Sequence, residues 1–382
     1  MLFLVGPRQV GKTTIAKNCQ KSFKESIYLN YDIIKDRNKI LSGQDFIEDI
    51  FPLSILREKK PLIIFDEIHK YKDWKNYLKG FYDQYNKDYH ILVTGSARLD
   101  IYKSGGDSLM GRYFQYRIHP LSTREILDPA TEIIQPPKKI DSTNWSNLYK
   151  FGGFPNPFLQ NNQSFSNKWQ NLKHRQLFFD DIQSISAIKD IQQMEVLSEL
   201  LRYQAGQLLN RTNLAKKIQT TAQTVGRWVD ILERFYFCFS VKPWHKNIAR
   251  SLIKESKLYM WDWSIVESEG AKFENFLASH LLKAVHLWED LGKGAFELFY
   301  IRDKHKKEVD FLVTKNKMPW LLVEAKLNGN ERLSSNLLYF QNQIHAEHVL
   351  QVAFNVDYVN KSCFEVNTPL VVPAKTFLSE LV

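Results

Sequence analysis

The sequence predicts an α/β protein: a parallel sheet with crossover helices at the amino-terminal end, a mainly helical middle, and a second α/β region. Three observations carry this expectation. Short apolar runs, "LFLV" at 2–5, "PLIIF" at 61–65 and "HILV" at 90–93, are separated by stretches long enough for helices, the pattern of buried parallel strands. From Leu148 to about Asp262 the apolar spacing becomes helical. After Ala271 a helical stretch, "AKFENFLASHLLKAVHLW", leads into the apolar strands "FELFYIR", "EVDFLV" and "WLLVEAKL", a helix about "LLYFQNQI", and "LQVAF".

A chain of 382 residues is too long for one ordinary core. The expected division is 1–127, 128–265 and 266–382, with the Pro- and Thr-rich "DPATEIIQPPKKIDSTNW" near the first boundary. A hydrophobic fraction of 44% and a charged fraction of 25% are those of a globular protein. No apolar run has bilayer length and no basic-then-apolar leader is seen, so the expected location is the cytoplasm, with no membrane partner. Cys19, Cys238 and Cys363 lack any CxxC spacing, which argues against a disulfide framework or a zinc knuckle.

The first strand runs into "GPRQVGKTT". Gly6, Pro7, Arg8, Gln9, Val10, Gly11, Lys12, Thr13 and Thr14 fit the G-x-x-x-x-G-K-[ST] phosphate loop, placed between a strand and a helix as that loop requires. Glycines let backbone N–H groups turn onto phosphates, Lys12 reaches the outer phosphates of ATP, and Thr13 holds Mg²⁺. The following helix is expected to turn Ile15 and its neighbours inward. "LIIFDE" ends a second strand in two carboxylates, Asp66 to hold Mg²⁺ and Glu67 to act as general base toward water. Thr94 and Ser96 close the next strand, where a hydroxyl either orients that water or caps the turn. Of the arginines that follow, Arg112 in "SLMGRYFQYR" is the chosen finger, which would act between copies of a homo-oligomer; a surface ion pair is the alternative.

Net charge is +10 and unevenly placed. The window 201–260 holds Arg202, Arg211, Lys216, Lys217, Arg227, Arg234, Lys242, Lys246, Arg250, Lys254 and Lys257 against Asp230, Glu233 and Glu255. Such a window suits a polyanion, or is a solvated basic surface. Helices broken near Asn210 and Thr220–Thr221 have the proportions of a helix-turn-helix; Arg227 on the last would touch phosphate, while Trp228, Ile231 and Leu232 read as core. DNA binding without base specificity is therefore expected. In the tail, Asp310 on one apolar strand and Glu324 with Lys326 on one face of the next make a hard-oxygen site for Mg²⁺ beside a lysine, with Glu274 as a third carboxylate. The bland alternative is a surface pair on an edge strand.

Taken in order, "GPRQVGKTT", "LIIFDEIH", "LVTGSA", "SLMGRYFQYRIHPLSTREI", "FGGFP", "KLYMWD", "FENF", "EVDFLV" and "VEAK" resemble a family of prokaryotic AAA+ ATPases whose carboxy-terminal domain of unknown function has a PD-(D/E)xK nuclease-like fold. The resemblance implies an AAA+ P-loop ATPase core, a winged-helix segment and a restriction-endonuclease-like tail acting on DNA. Two functional expectations follow. One is an ATP-hydrolysing, DNA-associated protein with a Mg²⁺-dependent nuclease-like tail; the other is a nucleotide-dependent switch or signalling ATPase whose tail binds DNA or protein without cleavage.

Overall fold

The computed structural model describes residues 1–95, 109–129, 132–183, 190–245, 255–330, 332–366 and 369–382. The chain forms two compact units, Met1–His119 and Pro120–Val382. Among the described residues no helix is long and apolar enough to cross a membrane.

The first unit runs β1 (Leu2–Val5), α1 (Lys12–Gln20), β2 (Ser26–Asn30), α2 (Ile34–Leu41), α3 (Phe46–Ile50), β3 (Leu62–Asp66), α4 (Trp74–Tyr85), β4 (His90–Thr94) and β5 (Phe114–Arg117). All five strands are parallel, in the order β2-β3-β4-β1-β5. The strands are apolar throughout because both faces are covered. Ile63, Phe65, Ile91 and Val93 pack on one face with Trp74, Leu78 and Phe81 of α4. Leu62, Ile64 and Leu92, the alternate residues, face Ala16 of α1. The inward residue of α1 is thus Ala16, and Ile15 is 37% exposed, contrary to expectation. Helix α1 begins inside the phosphate loop, so the loop geometry rather than the apolar residue sets its rotation.

In this order β4 lies between the strand that feeds the loop and the strand that ends in Asp66. Thr94 is in register with both Leu4 and Asp66. The carboxyl ends of three strands therefore meet beside the loop, the usual ligand position in an open α/β sheet.

The second unit begins with α5 (Thr123–Leu127), α6 (Ser142–Phe151), α7 (Pro155–Gln160) and α8 (Gln163–Arg175), the last continuing as a π-helical segment, Gln176–Ile182. Then come α9 (Ile191–Arg202), α10 (Arg211–Lys217) and α11 (Ala222–Arg234). The last two start where the sequence breaks. The Asn210 side chain accepts from the Asn213 N–H and the Thr221 hydroxyl from the Thr224 N–H, so each break is an N-cap. Trp228 and Leu232 are buried among Leu214, Val225 and Leu197, while Arg211, Lys216, Lys217 and Arg227 are exposed.

Strands β6 (Cys238–Pro243) and β7 (Lys257–Met260) form an antiparallel ribbon; Lys246, Arg250 and Lys254 lie outside the described residues. The chain continues through α12 (Glu269–Asp290), β8 (Phe296–Arg302), β9 (Glu308–Lys315), β10 (Met318–Lys326), α13 (Ser335–Ile344), β11 (His348–Ala353), β12 (Leu370–Pro373) and α14 (Ala374–Glu380). A mixed sheet has the order β12-β11-β10-β9-β8-β6-β7, so the expected division at 265/266 runs through it. Phe276, Leu277 and Trp288 of α12 pack on Phe311, Val313, Leu321 and Val323. The alternate residues Leu312, Leu322 and Val349 pack on Leu337 and Phe340 of α13. Ribbon β7 serves two cores by the same period of two: Leu258 and Met260 face the helical cluster, and Tyr259 faces the α12 side.

Candidate functional site

The loop between β1 and α1 turns through positive φ at Gly6 (148°), Gln9 (61°) and Gly11 (103°). Gly6 is required by contact as well as by φ: a Cβ there would lie 2.2 Å from the Ile118 carbonyl oxygen. Gly11 instead opens onto free space and is the N-cap of α1. Pro7 and Val10 are buried and anchor the loop, Gln9 is exposed at its crest, and Arg8 is half-buried. The Lys12 ammonium folds back to donate to the carbonyl oxygens of Gly6 (2.9 Å) and Pro7 (2.5 Å). A loop in this conformation, capped by a helix N-terminus, presents N–H groups and one ammonium to a phosphate. Thr14 is exposed on the first turn of α1.

Asp66, 3% exposed, is the best-supported polar group of the unit. Its Oδ2 accepts from the Thr13 hydroxyl at 3.0 Å and from the Tyr28 hydroxyl; its Oδ1 accepts from the Thr94 hydroxyl. All three donors are neutral, so the carboxylate is held without being neutralised. The Thr13–Asp66 pair beside the Lys12 loop is a hard-oxygen set whose chemistry would fit a phosphate-bound Mg²⁺. Thr94 is fully buried and engaged with Asp66, which makes it a support of the carboxylate. Ser96 lies outside the described residues.

Glu67 adopts a left-handed backbone (φ 56°), an uncommon conformation for a residue with a side chain, and its N–H donates to the Thr94 carbonyl oxygen at 3.1 Å. Its carboxylate pairs with Lys70 at 3.2 Å and lies 3.5 Å from His69 Nε2. Lys70 also holds Asp32 at 2.5 Å. Arg112 forms a two-pronged pair with Asp83, Nε to Oδ1 at 2.6 Å and Nη2 to Oδ2 at 3.0 Å, which is the ion-pair alternative within the chain.

The tail residues also converge, with an addition. Period-two alternation brings Glu308 and Asp310 to one face of β9, Glu324 and Lys326 to one face of β10, and Lys257 and Tyr259 to one face of β7. The Lys257 ammonium, 3% exposed, lies 3.0 Å from Glu274 Oε1, 2.8 Å from Glu308 Oε1 and 3.1 Å from Asp310 Oδ1. Tyr259 donates to the same Glu274 oxygen at 2.8 Å, and the Ala325 N–H donates to Asp310 Oδ2 at 3.0 Å. Lys326 pairs with Glu324 Oε1 at 2.9 Å, and Arg302 with Glu308 Oε2 at 2.9 Å.

Burial and the charge of Asp310 push the Glu274 and Glu324 carboxyls up to about 7. For Lys257 burial alone would lower the value, but Tyr259 and the carboxylates of Asp310, Glu274 and Glu308 outweigh it and raise the ammonium well above its usual range. Two of the three carboxylates expected to hold Mg²⁺, Glu274 and Asp310, are drawn together around an ammonium. Among the described residues no group of three or more His, Cys, Asp or Glu is arranged to hold a metal ion. The residues present do not fit Mg²⁺ in this pocket.

Residues 1–127 match the family model of an AAA domain. The amino-terminal segment is similar to AAA domains. Residues 142–271 and 269–371 match two domains of unknown function, DUF8612 and DUF4143. An uncharacterized protein of Haemophilus influenzae is 22% identical over 360 residues, spanning 88% of this chain and 85% of its own length. One of Methanocaldococcus jannaschii is 24% identical over 347 residues, spanning 86% and 75%. Among solved structures, the Aeropyrum pernix ORC1 protein in complex with DNA aligns with a TM-score of 0.33 at 13% identity, over 72% of this chain and 87% of that one. Thermotoga maritima RuvB aligns with a TM-score of 0.29 at 15% identity, over 62% and 80%. Neither of these weak structural likenesses bears on the reading below.

Within the AAA domain the residue missed by sequence reasoning is Tyr28. It sits in "SIYLN", a strand whose mixed burial leaves no clear alternation to show which way a tyrosine points. In the tail the missed residues are Lys257, Glu308 and Tyr259. A signal for Lys257 existed: in "KLYM" it shares a face with a tyrosine at the start of a strand buried along its whole length.

Proposed function

We propose that the AAA domain binds and hydrolyses ATP and that the nucleotide state governs how the second unit engages DNA. The observation that carries the first part is the Thr13–Asp66 pair set beside a phosphate loop whose lysine is poised on the loop's own carbonyls. Bound Mg²⁺·ATP would supply the transferable phosphoryl group and the charge that stabilises its oxygens. The chain's residues would do the rest. Loop N–H groups and Lys12 bind and orient the phosphates; Thr13 and Asp66 hold the cation; Glu67, once free of Lys70, takes the proton of the attacking water. The salt bridge from Lys70 in this structure leaves Glu67 committed elsewhere, as suits a resting site.

For the tail, the cation already seated among its carboxylates favours the reading in which it binds without cutting. Exposed Arg211, Lys216, Lys217 and Arg227 on the winged helix-turn-helix support sequence-independent contact with DNA phosphates. The test uses purified protein with Mg²⁺ or Mn²⁺, ATP and labelled single- and double-stranded DNA. Expected results are ATP turnover that Lys12→Ala abolishes, DNA affinity that falls steeply with salt, and no strand cleavage. Absence of turnover would overturn the ATPase reading, salt-independent binding the DNA reading, and cleavage lost in Asp310→Asn the non-cutting tail.

A further inference from the structure

A carboxylate cluster of the second unit, half-buried at Glu274, Glu308 and Asp310 and buried at Glu324, brings these residues from α12, β9 and β10 into one place. The cations that reach them are Lys257, Arg302 and Lys326. These partners are not equivalent. Arg302 and Lys326 are roughly a third exposed and pair with Glu308 and Glu324, whereas Lys257 is nearly inaccessible and contacts three carboxylates. An ammonium with three carboxylate oxygens at 2.8–3.1 Å has the surroundings of a bound cation. Its place is imposed by the fold, because the alternation of β7 that buries Leu258 and Met260 on one side leaves Lys257 and Tyr259 on the other.

A second, independent feature points the same way. Glu324 is only 6% exposed, and its Oε2 is buried without a hydrogen-bond partner among the described residues. Val323 pairs with Phe311 across the antiparallel strands β10 and β9, so Glu324, the next residue, stands opposite Asp310 on the same face of the sheet. A buried carboxylate oxygen without a donor is costly. It is the acceptor a cation would use.

We propose that Lys257 is the resident cation of a latent divalent-cation site, and that its ammonium excludes Mg²⁺ and Mn²⁺ from Glu274, Asp310 and Glu324. Charge explains the exclusion. Among the described residues, with all groups ionised, four carboxylates face three cations, which leaves one negative charge. A divalent ion added beside Lys257 would leave a net positive pocket with two cations at contact distance, in surroundings where water screens poorly. Take the ammonium away and the pocket is short of two positive charges, the amount a divalent ion brings. The proposal extends the non-cutting reading of the tail, since a site closed to metal lacks the ion that would activate water there.

The experiment is a Mn²⁺ titration of the full chain without nucleotide, read by the electron paramagnetic resonance of free Mn²⁺. It compares wild type, Asp310→Asn, Lys257→Met, Lys257→Arg and the Lys257→Met/Asp310→Asn double variant. Expected is no Asp310-dependent site in wild type or Lys257→Arg. One site should appear in Lys257→Met, tighter by about 100-fold or more than any binding in wild type, and be lost in the double variant. Wild type decides the matter even if Lys257→Met does not fold: Mn²⁺ binding that Asp310→Asn removes would overturn the proposal. A folded Lys257→Met that gains no site would also overturn it. Asp310-dependent Mn²⁺ binding in wild type without DNA cleavage would sink this proposal alone, and cleavage would sink the non-cutting reading as well.

Discussion

Thr94→Val and Tyr28→Phe test whether hydroxyl support of Asp66 matters to turnover, and the structure ranks them. Both delete one hydroxyl donor to Asp66 with almost no change in shape. Hydrogen bonds to a charged group are worth about 1.5–3 kcal/mol, the larger value applying where water cannot replace the lost donor. Thr94 has no exposure, so water cannot reach the place its hydroxyl leaves. Tyr28 is half-buried, so water can partly take over. Were Mg²⁺ held by Thr13 and Asp66, the Thr13 hydroxyl would serve the ion and Asp66 would depend on the other two donors. Converted to rates, kcat should fall about 10-fold in Tyr28→Phe and about 100-fold in Thr94→Val. Nucleotide affinity should change little in either, because neither side chain belongs to the phosphate loop. A coupled ATP-turnover assay at saturating Mg²⁺ supplies kcat, and a fluorescent-nucleotide titration supplies affinity. Equal activities, or a weaker effect in Thr94→Val than in Tyr28→Phe, would refute the reasoning.

Three other outcomes are expected. Gly6→Ala forces a Cβ to 2.2 Å from the Ile118 carbonyl oxygen at φ 148°, so nucleotide binding should weaken at least ~10-fold and the melting temperature should drop; calorimetry and nucleotide titration would each show it. Glu67→Gln should bind ATP normally yet hydrolyse it ~100-fold more slowly or worse, and a variant with unchanged turnover would remove Glu67 from the base role. His280 gives a pH dependence: burial lowers its pKa from 6.5 to about 3, and its Nε2 accepts from the Thr123 N–H while Nδ1 donates to the Phe276 carbonyl oxygen. The unfolded chain takes up a proton that the folded chain refuses. The stability contribution is thus full above about pH 6.5 and lost as pH falls toward 3, by up to ~1.4 kcal/mol per pH unit. Denaturant melts from pH 7.5 to pH 5 should show this slope reduced in His280→Gln, and identical slopes would discount the histidine.

Much of the first unit was legible because its signals are local. The runs at 2–5, 62–66 and 90–94 are strands, and the loop residues stand between strand and helix as their spacing requires. The breaks near Asn210 and Thr220–Thr221 are helix starts for a reason also readable in sequence, since short polar side chains accept from N–H groups three residues on. What failed depended on direction in space. Ile15 was expected inside, but α1 is rotated by the loop it caps. Tyr28 reaches Asp66 only because β2 pairs with β3, a non-local fact. Lys257 reaches α12 and β9 from a ribbon at the far edge of the sheet order, and no spacing of residues in the chain encodes that contact.

The two carboxylate sites differ in the chemistry of their supports, and that difference bears on function more than the carboxylates do. Asp66 and Asp310 each belong to an apolar strand and are each held by side chains from neighbouring elements. Around Asp66 the supports are hydroxyls, which carry no charge of their own, rotate at little cost, and could hand one acceptor position to an incoming ion. Around Asp310 the principal side-chain support is an ammonium shared with Glu274 and Glu308. It supplies the positive charge itself, and withdrawing it would leave three half-buried carboxylates without it. A hydroxyl-supported aspartate is ready to take and release an ion during a cycle. A lysine-supported one is already satisfied, and it ties a helix and two strands together instead.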